Sequence, residues 1–257
     1  MPKQLNENSG LAYFNDNTLF FIEDHGNGNV IFKTDIKGNI GAKLKVINAK
    51  NKDWEDITKD ENNNLFIADF GNNKNDRKDL VIYKILNSEL KKEDKVIAEK
   101  IHFSYPQQKK FPPKKNALLY DAEAIFYHMG FLYIITKNRT IPFNGKTLVY
   151  EIPAKKGSHI ARLAGEFTTC SKGNSCKITA ASISPDTRKV CLLSCGVLWI
   201  FTDFSSVRNF TDGKLTTIDL GIRTQLESIV FKDNNMLLLS DEKQANTGGN
   251  LYSFTLD

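Results

Sequence analysis

The sequence predicts an all-β fold, a β-propeller of five blades with four antiparallel strands in each. Three observations carry this. First, a short unit followed by an apolar run recurs along the chain: Ser9-Gly10-Leu11-Ala12, Asp53-Trp54-Glu55-Asp56-Ile57, Asp121-Ala122-Glu123-Ala124-Ile125, Ala180-Ala181-Ser182-Ile183 and Leu226-Glu227-Ser228-Ile229. Second, its inner spacing is constant: Gly10 to Asp24, Glu55 to Asp69, Ala181 to Cys195 and Glu227 to Asp241 are each 14 positions. Third, the units start 45, 68, 58 and 46 residues apart. A period of about 40–50 residues with four short strands per copy is the propeller signature.

The single domain over 1–257 divides into blades at about 9–50, 53–105, 121–170, 178–220 and 225–257. Third strands read as Val30-Ile31-Phe32, Leu80–Tyr83, Leu148-Val149-Tyr150 and Leu198–Phe201. Fourth strands read as Leu44-Lys45-Val46, Ala98–Phe103, Ala161-Arg162-Leu163 and Leu215–Ile218. In the third unit the apolar run suggests a one-residue slip, from Lys137 toward Thr136. Blade two carries two inserts, Asn87 to Lys95 and the lysine-rich Pro106 to Leu119. The fifth unit is one strand short after Leu251–Phe254. The economical closure gives that strand to residues 3–6, which would remove two free sheet edges. Six blades, one of them degenerate, is the alternative.

Composition agrees with this class. Seventeen Phe and eight Tyr against three Met and two Trp favour strands. A net charge of +5, with lysines scattered among carboxylates, argues against nucleic acid as the partner. No apolar run reaches the roughly 18 residues needed to span a bilayer, so no transmembrane segment is expected. Met1-Pro2-Lys3-Gln4 is polar and is not a signal peptide. Cys170 and Cys176 bracket a turn-rich loop, Ser171 to Ser175, whose ends could meet, whereas Cys191 and Cys195 on one regular strand could not pair. Four buried thiols is the other reading.

In a propeller the first strand of each blade lines the central channel. The start of strand one and the end of strand two then lie at the same end. This brings Glu55, Glu123 and Glu227 to one mouth, with Asp24, Asp69 and Asp241 beside them and Asn72, Asn73 and Glu242 on the rim. So many carboxylates repel unless a positive group sits among them. A divalent cation, Ca2+ first, would do this, with Glu55, Asp69, Glu123 and Glu227 as its ligands. Lys137, Arg139 and Arg223 could instead neutralise the ring directly, or the carboxylates could simply cap strand amides. His25 is the one histidine placed at this rim for proton transfer. No zinc spacing, no GxSxG and no phosphate loop is present.

These residues resemble a bacterial exported β-propeller family marked by a DWEDI and LYIADxGNN signature. It stands here as Asp53-Trp54-Glu55-Asp56-Ile57 and Leu65-Phe66-Ile67-Ala68-Asp69-Phe70-Gly71-Asn72-Asn73. That family is distantly similar to phytase-like, SdiA-regulated and gluconolactonase-like propellers, several of which bind calcium in the channel. The resemblance implies a periplasmic or secreted protein with its leader removed. Gly10 and Ala181 depart from the glutamate of the other units. The expected function is binding of a small anionic ligand or a protein at the acidic mouth, with a divalent cation, by a monomer. The alternatives are a metal-dependent hydrolase of a phosphoester, lactone or ester, and a protein-interaction scaffold without a small-molecule site.

Overall fold

The computed structural model describes residues 1–170 and 173–256. Five antiparallel sheets succeed one another along the chain. Blade one holds β1 (Asn8–Asn15), β2 (Thr18–Glu23), β3 (Val30–Thr34) and β4 (Ile40–Val46). Blade two holds β5 (Trp54–Lys59), β6 (Leu65–Asp69) and β7 (Val81–Ile85); after a short strand β8 (Lys95–Val96) its outer strand is β9 (Ala98–Ser104). Blade three holds β10 (Asp121–His128), β11 (Phe131–Lys137) and β12 (Lys146–Pro153); after β13 (Gly157–Ile160) its outer strand is β14 (Arg162–Thr168). Blade four is β15 (Ile178–Ile183), β16 (Val190–Ser194), β17 (Val197–Thr202) and β18 (Lys214–Asp219). Blade five is β19 (Leu226–Phe231), β20 (Met236–Asp241) and β21 (Leu251–Thr255).

The inner strands β1, β5, β10, β15 and β19 each touch the next, and β19 touches β1, so the ring closes at five blades. The apolar faces of each blade pack on both neighbours. Five buried clusters result, one per interface, the last joining blade five to blade one through Leu238 and Leu5, Leu11, Leu19 and Phe21. Inner hairpins turn on local chemistry. Asp60 Oδ1 accepts the amides of Asn62 and Asn64, Asp233 Oδ1 those of Asn235 and Met236. Met129 and Gly130 turn β10 into β11 with φ of 45° and 84°, as a tight hairpin turn requires.

The connection from third to fourth strand has a second use. In blade two it contains the first insert, whose strand β8 pairs in parallel with β4 of blade one. In blade three it supplies β13, parallel to β9 of blade two. In blade four it forms a 3-10 helix, Val207–Asp212, laid against β14. Each of these blades thus reaches back to cover the outer edge of the one before, which shields edge amides from other chains.

One predicted closure is not found. Residues 3–5 form a 3-10 helix instead of an outer strand, and blade five keeps three strands. The reason is geometric. β1 is an innermost strand and begins at Asn8, so the seven residues before it arrive at the channel end of the ring. Asn6 and Glu7 carbonyls accept the amides of Lys243 and Asp24 there, and Leu5 is fully buried between the two blades. The N-terminal segment seals the ring as a wedge. No helix among the described residues is long and apolar enough to cross a membrane.

Candidate functional site

Each inner strand carries a bulge at the same place. Register breaks between Asn8 and Gly10, Trp54 and Asp56, Ala122 and Ala124, Ile178 and Ala180, and Leu226 and Ser228. The extra residue is Ser9, Glu55, Glu123, Thr179 or Glu227. A bulge re-aims one side chain without shifting the rest of the ladder. All five of these residues line one cavity of about 290 Å³ at the start of the inner strands. This is the acidic mouth that the spacing predicts, with one correction. Ser9 and Thr179 complete the column, not Gly10 and Ala181. Both hydroxyls lace blades together: Ser9 Oγ donates to the Glu55 carbonyl at 2.6 Å and Thr179 Oγ1 to the Leu226 carbonyl at 2.7 Å. Gly10 is instead a close-approach position, because a β-carbon there would press on the backbone of Asp56 and Ile57. The slip toward Thr136 is present, Ala122 pairing with Thr136.

Blade three brings its own cations. Lys137 Nζ lies 2.8 Å from Glu123 Oε2, and Arg139 spans Asp121 Oδ2 at 2.6 Å and Glu123 Oε1 at 2.9 Å. These two bases outweigh burial and hold the Glu123 carboxyl below its usual range, while Glu123 and its neighbours raise Lys137. At Asp121 burial and the Glu123 charge win over Arg139 and raise the carboxyl.

Several predicted residues serve elsewhere. Asp69 is fully buried on the flank of blade two, its Oδ1 paired with Arg77 Nη2 at 2.9 Å. Asp241 is spent on blade five: it accepts from Asn250 N–H, Thr224 Oγ1 and Tyr252 Oη. Asn72 holds Arg77 N–H and the Tyr120 carbonyl. For Asp69 and Asp241 strand pairing explains this, since they face Trp54 and Leu226, the residues before the bulged glutamates, whereas Asn72 lies in the loop past β6. Arg223 forms an exposed pair with Asp219. The basic insert ends beside Arg139 and Ile141, but its lysines are exposed and none lines the cavity. The proposed metal quartet is therefore not assembled: Asp69 is absent from the mouth and Glu123 is already paired twice.

The remaining carboxylates do converge. Asp24, Glu55, Glu227 and Glu242 line the cavity with Glu123, and Asn73 and Gln225 add amides. Asp24, His25 and Asp53 offer ligand atoms all within 4.8 Å of one another. Gly71 makes room, since a β-carbon there would overlap Glu55 Oε1 and the Asp53 carboxylate. Burial first, then mutual repulsion, pushes Glu55 and Asp24 upward, Asp53 to about 6, Glu227 to about 7 and Glu242 to about 8. Clustered acids with too few cations behave in this way. Asp53 and the bulged Ser9 and Thr179 escape a reading by strand spacing alone. A polar residue two before the apolar run is the signal that finds the latter two.

The channel does not run through. Asp56, one residue past the Glu55 bulge, is fully buried on the axis; its Oδ1 accepts the Ile57 amide at 2.8 Å and its Oδ2 the Ile125 amide at 3.0 Å, and the Ala181 amide also points to it. Below this plug the other ends of the inner strands enclose a second cavity of about 690 Å³, to which all five blades contribute. Sequence spacing does not reveal it. Among the cysteines, Cys170 and Cys176 form a disulfide and Cys191 and Cys195 are free thiols; Ser171 and Lys172 of that loop lie outside the described residues.

No family model matches the chain, and no curated protein matches it. Solved structures do. The PQQ-bound form of an aldose sugar dehydrogenase from Streptomyces coelicolor superposes with a TM-score of 0.57 at 12% identity, covering 97% of this chain and 94% of that one. A structural-genomics protein of unknown function from Bacteroides thetaiotaomicron gives 0.52 at 7% identity, covering 97% of this chain and 69% of that one. At such identities the likeness is one of fold.

Proposed function

We propose that this propeller binds a divalent cation at the acidic mouth, with Asp24, Asp53 and Glu55 as carboxylate ligands, and that the ion holds an anionic group of a small ligand there. One observation carries the reading: the mouth gathers Asp24, Asp53, Glu55, Glu227 and Glu242 against three cations on its wall, Lys177 and the two already engaged by Glu123 and Asp121, Lys137 and Arg139. Carboxylates with amide oxygens suit a hard cation of flexible coordination such as calcium. His25 beside them would also suit a transition metal. The Cys170–Cys176 disulfide supports an oxidising compartment, periplasmic or extracellular.

A hydrolase is the second reading. It draws on Glu227 and Glu242, whose raised pKa values of about 7 and 8 suit proton donation near neutral pH. Calorimetric titration with calcium, manganese and zinc tests the first reading. Binding is expected at pH 7.5, weakened roughly tenfold or more by Asp53→Asn or Glu55→Gln. No binding of any of the three ions leaves a protein-interaction scaffold. Turnover on a phosphoester and lactone panel, lost in Glu227→Gln, would favour the hydrolase.

A further inference from the structure

We propose that the cavity opposite the acidic mouth is a second binding site, built for an apolar carboxylate, a medium-chain aliphatic or arylalkyl acid whose headgroup pairs with Lys59. Its size, about 690 Å³, falls in the range of small-molecule sites. Its inner wall is apolar, with Leu11, Ile57, Ile183 and Phe231 among the lining residues. The Asp56 plug separates it from the cation mouth, so the two sites are independent.

The charge at the wall selects the ligand. Lys59 lines the cavity half-buried, at the end of β5. Its ammonium is held in place by Asn63 Oδ1 at 2.8 Å and by the face of the Phe14 ring at 4.9 Å. No carboxylate of the described residues lies within 4.0 Å of it, unlike Lys232 across the cavity, which pairs with Asp16 at 2.9 Å. Burial lowers the Lys59 pKa, against the weaker pull of Asp60. A fixed, partly desolvated cation beside an apolar wall gains most from an anion that brings its own apolar body. Asp60 and Glu61 also line the cavity but neither pairs with Lys59, so an alkyl chain alone would leave this half-buried ammonium with only the distant pull of Asp60. A small inorganic anion would leave the apolar wall wet.

Calorimetry on the whole protein tests this with decanoate and 4-phenylbutyrate as probes and decanol as the neutral control. Decanoate is expected to bind one site roughly tenfold or more tighter than decanol, and Lys59→Gln should remove that difference while Lys59→Arg keeps it. Ala181→Phe, which fills the floor, should weaken both ligands. Glu55→Gln, in the other mouth, should leave them unchanged. Absence of millimolar binding, equal affinity for acid and alcohol, or an unchanged Lys59→Gln variant would each overturn the proposal. Failure of cation binding at the acidic mouth would not bear on it.

Discussion

Glu55 and Glu123 of neighbouring blades line one cavity, and their carboxyls are driven in opposite directions, Glu55 well above its usual range and Glu123 below it. Lys137 and Arg139 keep Glu123 ionised. Burial first, and then the Glu123 charge, raise the fully enclosed Glu55 carboxyl well above its usual range, and a divalent cation beside Glu55 would act against that shift.

This gives stability a defined pH dependence. In the folded chain Asp53 rises to about 6, Glu227 to about 7 and Glu242 to about 8, from ordinary values of 3.8 and 4.5. Raised carboxyls bind protons in the folded state that the unfolded chain has already lost, so their contribution is complete below about pH 4 and disappears as pH climbs through 6 to 8. Glu123 acts in the opposite sense, but only in acid. Without divalent ions the melting temperature is expected to fall between pH 5 and 8, by roughly 2–4 °C per kcal/mol in a chain of this size. Saturating calcium should flatten the fall. Differential scanning calorimetry that shows a flat or rising curve in chelator contradicts the account.

Lys137→Met should be costly. It leaves Glu123 buried with one base instead of two, and broken buried pairs typically lose about 3–5 kcal/mol. Because Arg139 remains at 2.9 Å, the lower end is expected in urea unfolding at pH 7. A loss below about 0.5 kcal/mol would mean that the pair does not hold the mouth.

The ring and half of the mouth were legible in the sequence because a hairpin copied five times fixes a spacing, and Glu55, Glu123 and Glu227 stand at that spacing. Bulges were not legible. They shift one residue per blade without changing the apolar pattern, so Gly10 and Ala181 took the places of Ser9 and Thr179. Asp69 and Asp241 show the second limit: correct spacing does not say which way a side chain points, and local partners, Arg77 and Tyr252, claim them. Residues 3–6 show the third, since one buried leucine at a ring seam was worth more than an added strand. The opposite cavity has no motif at all. It arises where apolar strand ends converge, and only Lys59 among them hints at a ligand.

Gly71→Ala separates site from fold. The added methyl group overlaps the carboxylates of Glu55 and Asp53, not backbone, so those side chains must swing away. Cation affinity should drop at least about tenfold while the far-ultraviolet circular dichroism spectrum stays that of the parent. Unchanged affinity would move the site away from Asp53 and Glu55.

Export predicts an oxidised loop. Mass spectrometry of unfolded, alkylated protein should show two reactive thiols, Cys191 and Cys195, without reductant and four after reduction; in the folded chain the buried Cys191 should be protected and the partly exposed Cys195 less so. Cys176→Ser should cost about 2 kcal/mol, the loop-closure value for a ring this short. Four alkylatable thiols without reductant would remove the support for an oxidising compartment.

The most direct test of the central claim is anomalous diffraction from crystals grown with manganese, a calcium surrogate visible by its absorption edge. The account predicts a peak between Asp24, Asp53 and Glu55 that vanishes in Glu55→Gln crystals. A mouth with no peak under saturating metal, or a peak only at surface carboxylates such as Asp16 and Asp219, would contradict it.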